Sequence, residues 1–231
     1  MSWNRTAKRA PTQDETVPLP YADRGEAGRV LADRLAPMGL DGAVVLALPR
    51  GGVPVGFEVA RRLRSPLDVL VTRKIGFPPQ PELGVGAIAE GGGPVFDRGL
   101  LDRLGLTEDD MAATVRAERA ELDRRVAAYR GGRSLPDVAG RAVVVVDDGL
   151  ATGGTARAAV RAMRGRGPSR LALAVPVGAE DTVRSLAAEV DDLVVPAAPW
   201  DFRAVGQWYR DFDQLTDRDV TGWLERAGTA T

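Results

Sequence analysis

The 231-residue chain predicts an α/β protein whose parallel sheet is covered by helices on both faces. Three observations carry that expectation. Short apolar runs dominated by Val, Leu and Ala recur at 43–48, 67–72, 142–146, 171–177 and 193–195. Segments with one apolar helical stripe lie between most of them, and a strand, a helix and a further parallel strand make a right-handed crossover. No internal repeat points to a stacked architecture instead. In such folds ligands lie beyond the carboxyl ends of the strands.

The elements follow in order. Residues 1–20, MSWNRTAKRAPTQDETVPLP, mix charge with Pro and have no period, which predicts a flexible tail and leaves 21–231 as one domain. Asp23 is a helix N-cap with Glu26 three positions on, ahead of Ala27, Val30, Leu31 and Leu35 on one face. After the strand 43–48, Pro54 suits a first helical residue, and Val55, Val59 and Leu63 continue that helix. The strand 67–72 leads into RKIGFPPQPELGVGAIAEGGGPVF, whose Gly and Pro content predicts a flexible loop over about 74–96. Thr107 opens a long helix through about Tyr129, with Met111, Val115, Leu122 and Val126 as its apolar stripe and its charge run as a solvated face. Then come strand 142–146, helix 155–164, strand 171–177, helix 180–189 and strand 193–195. The segment 197–222 concentrates Trp200, Phe202, Trp208, Tyr209 and Phe212 ahead of a terminal helix that Thr216 and Asp219 cap.

Composition removes several kinds of chemistry. The chain has no Cys and no His, which excludes thiol nucleophiles, imidazole bases, Ser-His-Asp triads and the usual zinc sites. A net charge of −1 gives no footprint for nucleic acid. No apolar run approaches the roughly 18 residues of a membrane span, and no secretion signal opens the chain, so a cytoplasmic protein is expected. Lys8 and Lys74 are the only lysines, which draws attention to Lys74.

One stretch carries the functional signal. In VVVVDDGLATGGTAR (143–157) an apolar strand ends on Asp147 and Asp148. Gly149 to Gly154 can then turn several backbone N–H groups into one concavity, Thr152 and Thr155 add hydroxyls, and the dipole of the helix that starts there faces the same point. One end favours a phosphate, the other hydroxyls or a divalent ion. A nucleotide P-loop needs Gly-Lys-Ser/Thr, and a dinucleotide fingerprint places its acid about 20 residues after the loop. A Thr-capped helix beside two solvated acids explains the cap but not the acids and small residues together. Two other strand ends carry ALPRGG, with Arg50, Gly51 and Gly52, and TRKIG, with Arg73 and Lys74. A turn that needs glycine and a solvated lysine are their plain alternatives.

The stretch VVVVDDGLATGGT resembles the signature of the type I phosphoribosyltransferases: a hydrophobic strand, two acids and a Thr-Gly-x-Thr loop. The likeness covers roughly 21–222, is strongest in the loop, and extends to a bacterial branch without an agreed acceptor. It implies a Rossmann-like parallel sheet with a small hood, placed at about 197–222, and a site for phosphoribosyl pyrophosphate (PRPP). By that resemblance Asp147 and Asp148 lie by the ribose hydroxyls, and Ala151, Thr152, Gly153, Gly154 and Thr155 wrap the 5-phosphate. Arg50, Gly51 and Gly52 hold pyrophosphate, and Arg73 and Lys74 precede a loop that closes over it. Mg²⁺ is the implied cofactor, with Asp147, Asp148 and Asp211 as its candidate carboxylates. Trp200 or Phe202 would stack the acceptor. The implied reaction moves the ribose 5-phosphate group to a nitrogen acceptor, a nucleobase, with release of pyrophosphate. A PRPP-sensing regulator without turnover is the competing reading, and a homodimer stays open. Where the hypoxanthine and guanine enzymes carry an acid in the loop, this chain has Ala151, as the adenine enzymes do. Glu82 and Glu90 are the remaining candidates for a general base.

Overall fold

A computed structural model describes residues 17 and 19–228. Of the expected tail, 1–16 and 18 lie outside the described residues. Val17 and Leu19 pack against the cluster around buried Tyr21. The chain runs α1 (Arg24–Leu35), β1 (Val44–Ala47), α2 (Gly52–Leu63), β2 (Leu67–Val69), β3 (Thr72–Phe77), β4 (Gln80–Ala89), β5 (Pro94–Phe96), α3 (Arg98–Leu104), α4 (Ala112–Arg130), β6 (Ala142–Val146), α5 (Gly154–Arg164), β7 (Arg170–Ala174), α6 (Glu180–Leu186), β8 (Asp192–Val194) and α7 (Asp217–Gly228). A parallel five-stranded sheet has the order β2-β1-β6-β7-β8, and β3-β4-β5 form a separate antiparallel sheet.

The run of valines in β6 reads as a central strand because both of its faces are buried. Val144 and Val146 pack with Leu31, Leu35, Val55 and Val59 of α1 and α2. Val143 and Val145 pack on the other side with Ala156, Ala159 and Met163 of α5. α5 also packs against the small sheet, through Ala87 and Ala89 of β4, so it lies between two sheets. Among the described residues no helix is long and apolar enough to cross a membrane.

The segment expected as a flexible loop, 74–96, is the small sheet. Its glycines admit close strands: at Gly86 a Cβ would stand 2.6 Å from the Val95 carbonyl. Val85, Ala87, Ile88 and Ala89 of β4 are buried. The glycines of this segment allow its strands to approach closely. α3 carries no expectation from sequence, although Asp97 caps it by accepting from the Leu100 amide at 2.9 Å.

The charged face of α4 is not only solvated. Arg73 of β3 pairs with Glu118 at 2.7 Å, and Arg119 donates to the Gly92 carbonyl at 2.8 Å. Arg130, with a fully buried side chain, binds Asp68 and Glu90. Thr107 caps a 3₁₀ turn (Asp109–Met111) that runs into α4, with Thr107 and Asp110 exchanging hydrogen bonds as a capping box does.

Candidate ligand-binding site

The carboxyl end of β6 delivers Asp147 and Asp148 to the mouth of the parallel sheet, beside the turn that joins β1 to α2. The glycines of that turn are there for room. A Cβ on Gly51 would overlap the Asp148 carboxylate, and one on Gly52 would stand 2.7 Å from the Val146 carbonyl. Two sequence stretches read separately are thus one wall. The Gly52 amide is already used, donating to the Leu48 carbonyl at 3.0 Å, so the expected pair of anion-binding glycine amides is not available here. The Pro49–Arg50 peptide is cis.

Both acids lie in poor electrostatic surroundings. Burial and then the neighbouring Asp148 charge push the Asp147 carboxyl well above the usual carboxylate range. Burial also raises Asp148, and Arg24, whose Nε lies 3.0 Å from its Oδ2, partly offsets that. Asp147 Oδ1 accepts from the Asp148 amide at 2.9 Å, and among the described residues no cation pairs with Asp147 directly. Tyr209, kept neutral by a burial-raised pKa, donates to the Asp148 carbonyl at 2.6 Å.

A raised folded-state pKa means that the native protein binds more protons than the unfolded chain between about pH 3.9 and that raised value, so stability falls as pH rises through the window. Asp147→Asn keeps the acceptor and removes the charge. Thermal melts without ligand should place this variant above wild type at pH 8 by roughly 2–4 °C for each kcal/mol gained, with the gap closing toward pH 4. An equal gap at both pH values would rule out the buried charge as its cause.

After the acids the loop passes under residues 205 and 182. A Cβ on Gly149 would meet Val205 Cγ1 at 2.6 Å, and Gly153, with φ +73°, faces Thr182. Thr182 Oγ1 donates to the Ala151 carbonyl at 2.6 Å and holds the loop closed. Gly153 is the N-cap of α5, no side chain caps the helix, and no acid lies in its first turn. A Thr-capped helix is therefore not what this loop builds. Thr152 is exposed, Gly154 and Thr155 half-buried, and the open amides with the dipole make a place for an anion.

Other expected residues lie elsewhere. Arg50 turns to Asp217 at the start of α7, 3.8 Å away, and Tyr129 donates to the same carboxylate at 2.6 Å. Arg73 is engaged by Glu118, while the Lys74 ammonium donates to the Glu82 carbonyl across the β3–β4 pair. Glu90 is no base candidate, since both of its oxygens bind Arg130. Glu82 is exposed. Phe202 stacks on Trp208 with centroids 6.3 Å apart and belongs with Phe212 to the satellite core around Tyr21 and Tyr209, whereas Trp200 is 89% exposed.

Asp211 does not join the acid pair. Its amide donates to Ala22 O and its Oδ1 accepts from the Asp213 amide at 3.2 Å, which turns the carboxylate onto its own loop. Among the described residues no group of three or more acids could cage a metal ion. Two adjacent half-buried carboxylates do suit Mg²⁺, which keeps most of its shell as water and ligand oxygens and takes only one or two carboxylates from protein.

Over residues 27–206 the chain matches the phosphoribosyl transferase domain. The chain belongs to that family. The chain is 48% identical over 207 residues to two Mycobacterium tuberculosis proteins that carry the provisional name phosphoribosyl transferase, MT0597 of strain CDC 1551 and Rv0571c of strain H37Rv. That match takes in 90% of this chain and 47% of theirs, so the chain spans about half the length of these curated relatives. The crystal structure of TT1426 from Thermus thermophilus is similar at 42% identity and a TM-score of 0.76, covering 89% of this chain and 98% of that one. The matched span of the phosphoribosyl transferase domain includes Arg50, Arg73, Lys74 and the 147–155 loop, and leaves out Arg24, Tyr209 and Asp217. Sequence reading does not single out these three for the site, because an Arg, a Tyr and an Asp distant from the motif give no local signal.

Proposed function

We propose that the protein transfers the ribose 5-phosphate group of PRPP to a nitrogen acceptor, a nucleobase by class, and releases pyrophosphate. The observation that carries this is the pair of half-buried acids at the end of β6, walled by Gly51 and Gly52 and continuous with an uncapped helix N-terminus. Such a site matches a sugar with hydroxyls at one end and a phosphate at the other. Asp147 and Asp148 accept hydrogen bonds from the ribose hydroxyls, and the 151–155 loop holds the 5-phosphate. The bond from C1 to the pyrophosphate oxygen breaks, its electron pair leaves with pyrophosphate, and a nitrogen lone pair closes on C1. Positive charge that develops on the sugar is countered by the two carboxylates, and negative charge on the leaving group draws Arg50 and Lys74 from their resting partners, Asp217 and the Glu82 carbonyl. Asp147 and Asp148 are the residues that would hold Mg²⁺, which would supply further charge neutralisation.

At 100 times its dissociation constant, PRPP with Mg²⁺ should stabilise the fold by about 2.7 kcal/mol. Changing both Asp147 and Asp148 to Asn should abolish the Mg²⁺-dependent part. No shift in wild type at saturating PRPP overturns the assignment. A panel of purines, pyrimidines and pyridine carboxylates then identifies the acceptor by pyrophosphate and nucleotide release, and binding without release under every acceptor identifies a regulator.

Thr155→Val keeps volume and deletes one hydroxyl, so it should weaken 5-phosphate binding by about 1.5–3 kcal/mol. Thr107→Val, which removes a cap remote from the loop, should leave PRPP affinity unchanged. Similar losses at both positions in a calorimetric titration would mean general destabilisation.

A further inference from the structure

Asp148 is gripped by a residue that lies outside the family-matched span. Arg24 donates its Nε to Asp148 Oδ2 at 3.0 Å and its Nη1 to the Asp213 carbonyl at 3.0 Å, and its guanidinium carbon lies 3.9 Å from the centre of the Phe212 ring. The side chain is only 11% exposed. Contacts in three directions immobilise a planar fork that has no freedom to pivot. As the first residue of α1, Arg24 puts a positive charge at the positive end of a helix dipole. The helix gains nothing from that, so the position is explained by the carboxylate.

Asp148 is confined on its other sides as well. Gly51 abuts the carboxylate, and Tyr209, whose ring lies 5.0 Å from that of Phe212, holds the Asp148 carbonyl. Oδ2 is thereby taken by Arg24. No hydrogen bond from another described residue reaches Oδ1.

We propose that Arg24 is a positioning residue for sugar recognition: by holding Asp148 Oδ2 it aims Oδ1 at a ligand hydroxyl and ties that aim to the segment carrying Tyr209, Phe212 and Asp213. The inference rests on the reading of the acid pair as the site of the sugar hydroxyls. Arg24 itself touches no ligand, and displacement of residues 212 and 213 reaches the Asp148 carboxylate through this side chain, while Tyr209 holds only the backbone carbonyl of the same residue.

The test compares ribose 5-phosphate with 2,3-dideoxyribose 5-phosphate, which lacks both hydroxyls, by calorimetric titration. Wild type should prefer the ribose form. Arg24→Met should lose about tenfold in affinity for it, the scale of one hydrogen bond to a charged group, and keep dideoxyribose affinity within about twofold. Arg24→Lys should recover part of the loss, because charge is restored without the fork. In an Asp148→Asn background Arg24→Met should cost no further affinity, since a residue that acts through another is non-additive with it. Unchanged selectivity in Arg24→Met overturns the proposal and leaves the acid-pair reading intact. A wild type that does not distinguish the two sugars overturns that reading, and the proposal falls with it. Should Arg24→Met fail to fold, Arg24→Lys and Phe212→Leu carry the same comparison, and wild-type selectivity in both rejects the role.

Discussion

Arg130→Ala is expected to lower the melting temperature by roughly 6–20 °C, because stripping the partner from a buried ion pair costs about 3–5 kcal/mol and a chain of this size shifts about 2–4 °C per kcal/mol. The guanidinium donates Nε to Asp68 Oδ1 at 3.1 Å and Nη2 to the Val69 carbonyl and Glu90 Oε2, both at 2.6 Å, while Nη1 also binds Glu90. Burial works against its charge, and Glu90 and Asp68 more than offset that, raising its pKa. Alanine leaves both carboxylates buried and uncompensated. The triple variant Arg130→Met, Asp68→Asn, Glu90→Gln removes every charge at once and should recover much of the loss, as measured by thermal melts without ligand. If the single and triple variants melt together, desolvated charge is not the cause.

The second large effect is kinetic. Lys74→Ala should lower kcat by about 100- to 1000-fold, the typical loss for one donor aimed at developing charge, with PRPP affinity little changed. At rest the ammonium is held by a neutral carbonyl, that of Glu82, and its stem crosses Gly84, where no side chain obstructs it. In the proposed reaction a leaving pyrophosphate would be a far stronger attractor than that carbonyl once charge builds, so the interaction would belong to the transition state more than to the ground state. Lys74→Arg should regain part of the rate. Single-turnover pyrophosphate release set beside equilibrium binding makes the separation. Loss of affinity alone would favour a sensor over an enzyme.

The parallel sheet was legible because a strand buried on both faces must be continuously apolar, and 142–146 matches β6 at both ends. The turn that joins β6 to α5 was legible because acids, small residues and glycines follow the apolar strand directly. The small sheet was not, since glycine signals mobility in solvent and close approach under a neighbour, and only the neighbour decides. Ala87 and Ala89 against α5 settle it for close approach. Asp211 failed for a related reason: the carboxylate that a distant acid would bring to a metal is used within its own turn. Arg24 was invisible because an ion pair 124 positions apart in sequence leaves no local trace.

Alanines make up most of the buried face of α5, with Val160 and Met163 beside them, and at Gly92 a Cβ would stand 2.8 Å from that of Ala162. Alanines have no rotamers to reshuffle, so along most of this contact a roll or slide of the helix brings backbones together. Its N-terminal amides therefore keep their direction before any anion arrives, and little ordering of the protein remains for binding to bring about. Phosphate capture at this end should resemble a lock more than a folding reaction. Its heat-capacity change should be small, in contrast to the large negative value that accompanies coupled folding and burial of apolar surface.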